Sequence, residues 1–116
     1  MNAVLHYIYD PLCGWCYGAE PLVCAAAKVD GLALRMHAGN LWPQPTRLPD
    51  HMRRYIAQAD QRVAQMSGQP YGEPYLNGLL LDPDLVLESR PVIAAVLAAQ
   101  SLDASKALPM LRGIQH

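Results

Sequence analysis

The chain has 116 residues, 52% of them hydrophobic and 16% charged, with a formal net charge of −1, the profile of one soluble globular domain. That balance excludes the basic patch that nucleic acid or an anionic membrane would need. No apolar run approaches the length that spans a bilayer.

Met1-Asn2-Ala3-Val4-Leu5 carries no basic leader, and an apolar strand begins almost at once, which points to a cytoplasmic protein. The strand, Val4 to Tyr9, runs into Asp10-Pro11-Leu12-Cys13-Gly14-Trp15-Cys16-Tyr17. A β-branched and aromatic segment, then Cys-x-x-Cys, then a helix is the setting in which that spacing reads as a redox pair. At a helix start, Cys13 meets unpaired N–H groups and the positive end of the macrodipole, and both favour a thiolate. Cys16 lies one turn further in, within reach of a disulfide with Cys13. Cys13, the more exposed, is therefore the expected nucleophile and Cys16 the resolving thiol. In a reducing compartment the pair would stay reduced or cycle. The competing reading is half of a zinc site. Zinc wants four ligands, and Cys24, His6, His37, His51 and His116 show no ligand spacing, so no metal is expected.

The helix after the motif is predicted from about Cys13 to Val29, ended by Asp30-Gly31, with Pro21 kinking it. Cys24 lies about 12 Å beyond Cys16 along that helix, too far for a disulfide, and reads as a core hydrophobe. Leu32 to His37 is a second strand, ended by Gly39-Asn40, and strand, helix and strand make a right-handed βαβ unit. Prolines 43, 45 and 49 mark a linker from Trp42 to Asp50. Asp50 is the predicted N-cap of a helix to Ser67, stopped by Gly68. Its apolar stripe is Met52, Tyr55, Ile56, Ala59, Val63 and Met66, with Arg53, Asp60 and Arg62 on the solvated side. Gln69 to Glu88 reads as irregular, with weak strand patterns at Leu79–Leu81 and Leu85–Leu87; Tyr71 and Tyr75 read first as packing the loop down and second as lining a substrate groove. Ser89 is a predicted N-cap, and Pro91 to Ser101 a largely buried helix. A last amphipathic segment opens near Asp103, with Leu108, Leu111 and Ile114 on one side.

Tyr7-x-Tyr9-Asp10-Pro11-Leu12-Cys13-Gly14-Trp15-Cys16-Tyr17-Gly18 resembles the active-site segment of the DsbA family of thioredoxin-fold oxidoreductases, and within it the FrnE-like, disulfide-isomerase branch. The resemblance continues through His37-Ala38-Gly39-Asn40-Leu41, Leu79-Leu80-Leu81 and Glu88-Ser89-Arg90-Pro91. It implies an α/β, DsbA-type thioredoxin-like fold. Residues 1–41 would be the βαβ half and residues 42–116 an incomplete α-helical insertion. Nothing in the sequence supplies that family's second half, with its cis-proline loop, further strands and closing helix, so the chain reads as a truncated member. Pro21, five residues after the second cysteine, matches a proline common in thioredoxin-like proteins.

The implied activity is thiol–disulfide exchange on a protein or peptide, with no cofactor beyond the dithiol itself and glutathione as an electron partner. Around the cysteines, Gly14 and Trp15 form an uncharged spacer, with Trp15 offering aromatic surface to a peptide. Asp10, ahead of Pro11, either caps the helix or opposes the thiolate, and Tyr17 packs beside the motif. Glu20 reads first as an exposed helix glutamate and second as a proton relay. Two alternatives stand: an enzyme like the kappa-class glutathione transferases and 2-hydroxychromene-2-carboxylate isomerases, which usually carry serine at the position of Cys13, and an inactive truncated scaffold. Half a sheet leaves apolar surface on Val4–Tyr9, the Leu32–His37 edge and the Leu108, Leu111, Ile114 stripe, so a homodimer or higher oligomer is expected.

Overall fold

A computed structural model describes residues 2–116; Met1, the first residue of the predicted N-terminal segment, lies outside them. The first strand, β1 (Ala3–Tyr9), pairs in parallel with β2 (Leu32–Ala38) in unbroken register from Ala3↔Leu32 to Tyr9↔Ala38. Between them runs α1 (Gly14–Ala26), so the predicted βαβ unit is present. Its helix stops three residues short of the expected Val29. The chain there tightens into three-residue turns, with Lys28 N–H on Ala25 O and Val29 N–H on Ala26 O, both at 3.1 Å. Gly31, at φ 79°, then swings the chain into β2, a conformation that suits a residue without Cβ.

The predicted linker contains a strand that composition concealed. β3 (Thr46–Arg47) pairs antiparallel with β4 (Val86–Leu87), 40 residues on in the chain. Pro43, Pro45 and Pro49 hold this ladder to two residues, because proline cannot donate to it. Of the two weak strand patterns, the one around Val86 pairs, whereas Leu79–Leu81 closes a 3₁₀ turn after a π-helical turn over Pro74–Gly78.

The second helix, α2 (Asp50–Ser67), ends as expected at Gly68 in the left-handed region, with φ 76°. Asp50 is not its cap: Pro49 occupies that position, and Asp50 is the first helical residue, paired with Arg53 at 3.3 Å. The buried line is also rotated from the predicted stripe. Asp60 and Val63 are buried, while Tyr55 and Met66 are 60% and 77% exposed. The cause is a close approach to α1, where a Cβ on Gly18 would lie 2.2 Å from Val63 Cγ1. That contact turns the Asp60–Val63 side inward.

Next come α3 (Ser89–Leu102), a 3₁₀ turn over Ala104–Lys106 and α4 (Ala107–Gln115). Ser89 does not cap α3. It is fully buried, its N–H donating to Trp42 O at 2.8 Å while its Oγ accepts from Trp42 N–H at 2.9 Å. This clasp ties the end of the β1–β2 unit to the helices. Nor is α3 largely buried: Ile93, Val96 and Ala99 line one side, while Leu97 and Leu102 are exposed. Its inner side, with α4, covers one face of the sheet, so that Tyr9, Val96, Ala107 and Leu111 form the core and Tyr7, Cys16, Met36 and Ile114 pack against it. Leu111 is therefore interior, contrary to the exposed stripe expected of the last segment. The other sheet face, with Val4, His6 and Ile8, is open. No helix among the described residues is long and apolar enough to cross a membrane.

Candidate active site

The loop between β1 and α1 is held by Asp10. Its Oδ1 accepts from Leu12 N–H at 2.8 Å, its Oδ2 accepts from Leu41 N–H at 2.7 Å, and its carbonyl accepts from Cys13 N–H at 3.1 Å. The buried carboxylate thus ties the motif to the segment after β2 and does not cap the helix. Pro11 beside it is buried. Cys13 is the N-cap residue of α1, at φ −95° and ψ 122°, with Cys16 one turn inside.

Both cysteines are free thiols. The Cys16 thiol donates to the Cys13 sulfur, which also faces the backbone N–H groups of Trp15 and Cys16. The Cys16 hydrogen bond is the largest influence and, with those N–H groups, outweighs burial and the nearby Asp10 charge, bringing Cys13 down to about 6. Cys16 moves the opposite way. Its proton is held by that same bond, burial disfavours its charge, and a thiolate next door repels it, so it stays a thiol at any ordinary pH. Trp15 is half exposed beside them.

A second layer, not foreseen from composition, braces the spacer. Asp60 of α2 lies against Gly14 so closely that a Cβ there would sit 2.1 Å from Asp60 Oδ1. Tyr75 donates to Asp60 Oδ2 at 2.6 Å, and Tyr71 donates to the Gly14 carbonyl at 2.5 Å. Burial lifts the Asp60 carboxyl above its ordinary value, although the Tyr75 hydrogen bond opposes the shift. Asp60, assigned above to the solvated side, is thus a buried group beside the motif. The available signal was its spacing, four residues after Ile56 and three before Val63, within the apolar row. Tyr71 and Tyr75 do pack the loop down, as expected, and they pack it onto the cysteine motif.

Glu20 overturns the reading of an exposed helix glutamate. It is buried, accepts from the Cys24 thiol at 3.2 Å and from Gln69 Nε2 at 3.0 Å, and pairs with Arg112 and with His116, the latter at 3.5 Å. Burial alone would raise its carboxyl; Cys24, His116 and Arg112 together hold it below the ordinary glutamate value. Its partners belong to α1, α4, the C-terminal residue and the segment after α2, so it locks elements together. Tyr17 packs beside the motif, its hydroxyl donating to Pro70 O at 2.6 Å and its ring edge-on to Tyr71 at 5.0 Å. Cys24, half-buried, is bonded to Glu20 and is not an inert core group. Among the described residues, no three His, Cys, Asp or Glu side chains gather into a group that could hold a metal.

Among solved structures, the chain is similar to the cytosolic disulfide reductase DsbM from Pseudomonas aeruginosa, at 50% identity and a TM-score of 0.85 over 97% of this chain and 52% of that one. The same reductase solved with glutathione matches at 49% identity and 0.84, over 97% and 53%. A protein described as a disulfide isomerase from Nitrosomonas europaea shares 23% identity with a TM-score of 0.84 over 99% and 54%, a likeness of fold alone. The chain spans about half the length of these structures. No protein-family model and no curated protein sequence matches it.

Proposed function

We propose that the chain, which shares the DsbA-like thioredoxin fold of the structures above, is the cysteine-bearing part of a thiol–disulfide oxidoreductase, with Cys13 attacking and Cys16 resolving. The observation that carries this reading is a sulfur at a helix mouth that is lowered to about 6, next to a second thiol driven upward by donating to it. At neutral pH the pair holds one nucleophile and one stored proton.

The exchange follows from that asymmetry. The Cys13 thiolate attacks one sulfur of a substrate disulfide; the S–S bond breaks and its electron pair leaves on the other sulfur. The remaining substrate sulfur is now joined to Cys13. Cys16 then attacks Cys13 Sγ, the bond between Cys13 and substrate breaks, and the Cys16 proton ends on the departing thiol. The substrate disulfide is reduced by two electrons, and Cys13 and Cys16 become a disulfide. Glutathione, the ligand in one of the matched reductase structures, is the thiol we assign to returning that disulfide to the dithiol. The direction we assign is reduction of protein or peptide disulfides in the cytoplasm, in line with the cytosolic reductase that the chain matches at 50% identity. Gly14, Trp15, Asp10, Pro11 and Tyr17 position the pair, and Trp15 is the exposed surface for substrate.

Insulin reduction with glutathione as the electron source tests this. Cys13→Ser should abolish turnover, and Cys16→Ser should accumulate a mixed disulfide on Cys13 that mass spectrometry detects. Full turnover by Cys13→Ser would overturn the assignment.

A further inference from the structure

The exchange leaves one question open at the second thiol. Cys16 must become a thiolate at the moment when Cys13, tied into the mixed disulfide, no longer accepts its hydrogen bond. Something else has to receive the charge.

Tyr7 lies on the covered face of β1 and packs, like Cys16, against the core of Tyr9, Val96, Ala107 and Leu111. Its hydroxyl is buried with no hydrogen-bond partner, an arrangement that calls for an explanation. Cys16 packs against that same core, and after burial its sulfur is the largest influence on the Tyr7 phenol. Other groups facing this pair are Cys13 at the helix mouth, the Asp10 backbone in the loop, Cys24 further along α1 and Tyr71 from the segment after α2. Around the pair, β2 and α4 contribute Met36, Leu111 and Ile114, which carry no charge.

We propose that the Tyr7 hydroxyl is a catalytic hydrogen-bond donor that engages Cys16 as its thiolate forms, and so assists the resolving step and not the first attack. This rests on the exchange reading above. In the reduced protein the Cys16 proton points at Cys13, and Tyr7 stands without a partner. When Cys16 ionises, the unused O–H finds its acceptor. Burial raises the phenol itself, so Tyr7 keeps its proton and acts as donor, never as base. Atoms balance as before: the Cys16 proton goes to the departing thiol, and Tyr7 ends unchanged.

The molecule contains its own control. Tyr9 sits two residues away on the same strand face, 6.1 Å from Tyr7 ring to ring, with a hydroxyl that is also buried and unpartnered. The charge it senses is Asp10, not a sulfur. Tyr7→Phe and Tyr9→Phe thus each delete one buried idle hydroxyl, a change that should not destabilise the fold, and thermal melts check it.

The experiment mixes reduced protein with oxidised glutathione, quenches with acid and follows the Cys13–glutathione mixed disulfide by mass spectrometry. Tyr7→Phe should form it at the wild-type rate and clear it about tenfold more slowly, the worth of a hydrogen bond to a charged group. Tyr9→Phe should match wild type in both steps. In a Cys13→Ser background, where no exchange occurs, adding Tyr7→Phe should move the pH midpoint of Cys16 alkylation upward by about one unit. Wild-type clearance with an unmoved midpoint, or an equal delay in Tyr9→Phe, would overturn the proposal. Failure of the wild-type protein to form any mixed disulfide would instead defeat the exchange reading, and the Cys16 midpoint would still decide the role of Tyr7.

Discussion

Cys13 and Cys16 are the same side chain three positions apart, and their surroundings push them in opposite directions. The consequence for pH is specific. Iodoacetamide labelling of Cys13 should rise through pH 6 and level off near neutrality, because the thiolate is the reactive form. Cys16 and Cys24, both raised, should label far more slowly across that range. Peptide mapping after partial labelling checks this, and equal labelling of all three would refute it. Stability should respond to pH as well. A lowered Cys13 stabilises the fold above its unfolded value and loses that contribution as pH falls toward 6. A raised Cys16 contributes below its unfolded value and loses that contribution as pH climbs. The first acts below the ordinary thiol value and the second above it, so the two fall in separate pH windows.

Between elements, small and charged residues set the spacing. Gly18 lets α2 close onto α1, and its missing Cβ is the reason the Asp60–Val63 line, not the Tyr55–Met66 side, faces inward. Gly18→Ala should lower stability by about 1–3 kcal/mol through overpacking. Pairing it with Val63→Ala should recover part of that loss, since the colliding atom is a Val63 methyl. Strictly additive losses in denaturant melts would mean that the two helices do not meet as described. Because Asp60 rides on the same helix and touches Gly14, Gly18→Ala should also slow Cys13 exchange more than an exposed substitution on α2 such as Gln61→Ala.

As a whole the molecule is flat, 48 × 29 × 18 Å, with a radius of gyration of 15.1 Å against roughly 13 Å for a compact domain of this length. Two strands make a sheet with one face covered. The other presents Val4 at 52% and Ile8 at 70% exposure, flanked by a stacked His6–His37 pair. Contiguous apolar surface of this kind is seldom left open by a monomer. The 116-residue chain should therefore sediment as a homodimer or higher oligomer at micromolar concentration, and Ile8→Lys should shift it toward monomer. A wild-type monomer with a sharp unfolding transition would contradict this.

The amino-acid sequence by itself determined the βαβ unit and the place of the cysteines within it. Strand alternation, a Cys-x-x-Cys at a helix mouth and the Gly31 turn are local patterns, readable within a few residues. The tertiary structure decided what surrounds them. Asp60, Tyr71 and Tyr75 reach the motif from 46 to 61 positions away, Glu20 is buried only because Arg112 and His116 arrive from α4 and the C-terminal residue, and β3 exists only because β4 lies beside it. An amphipathic helix such as α2 allows more than one inward face, and its own periodicity cannot choose between them. The choice belonged to Gly18, a residue on another helix, because the side that can approach most closely is the side that becomes buried.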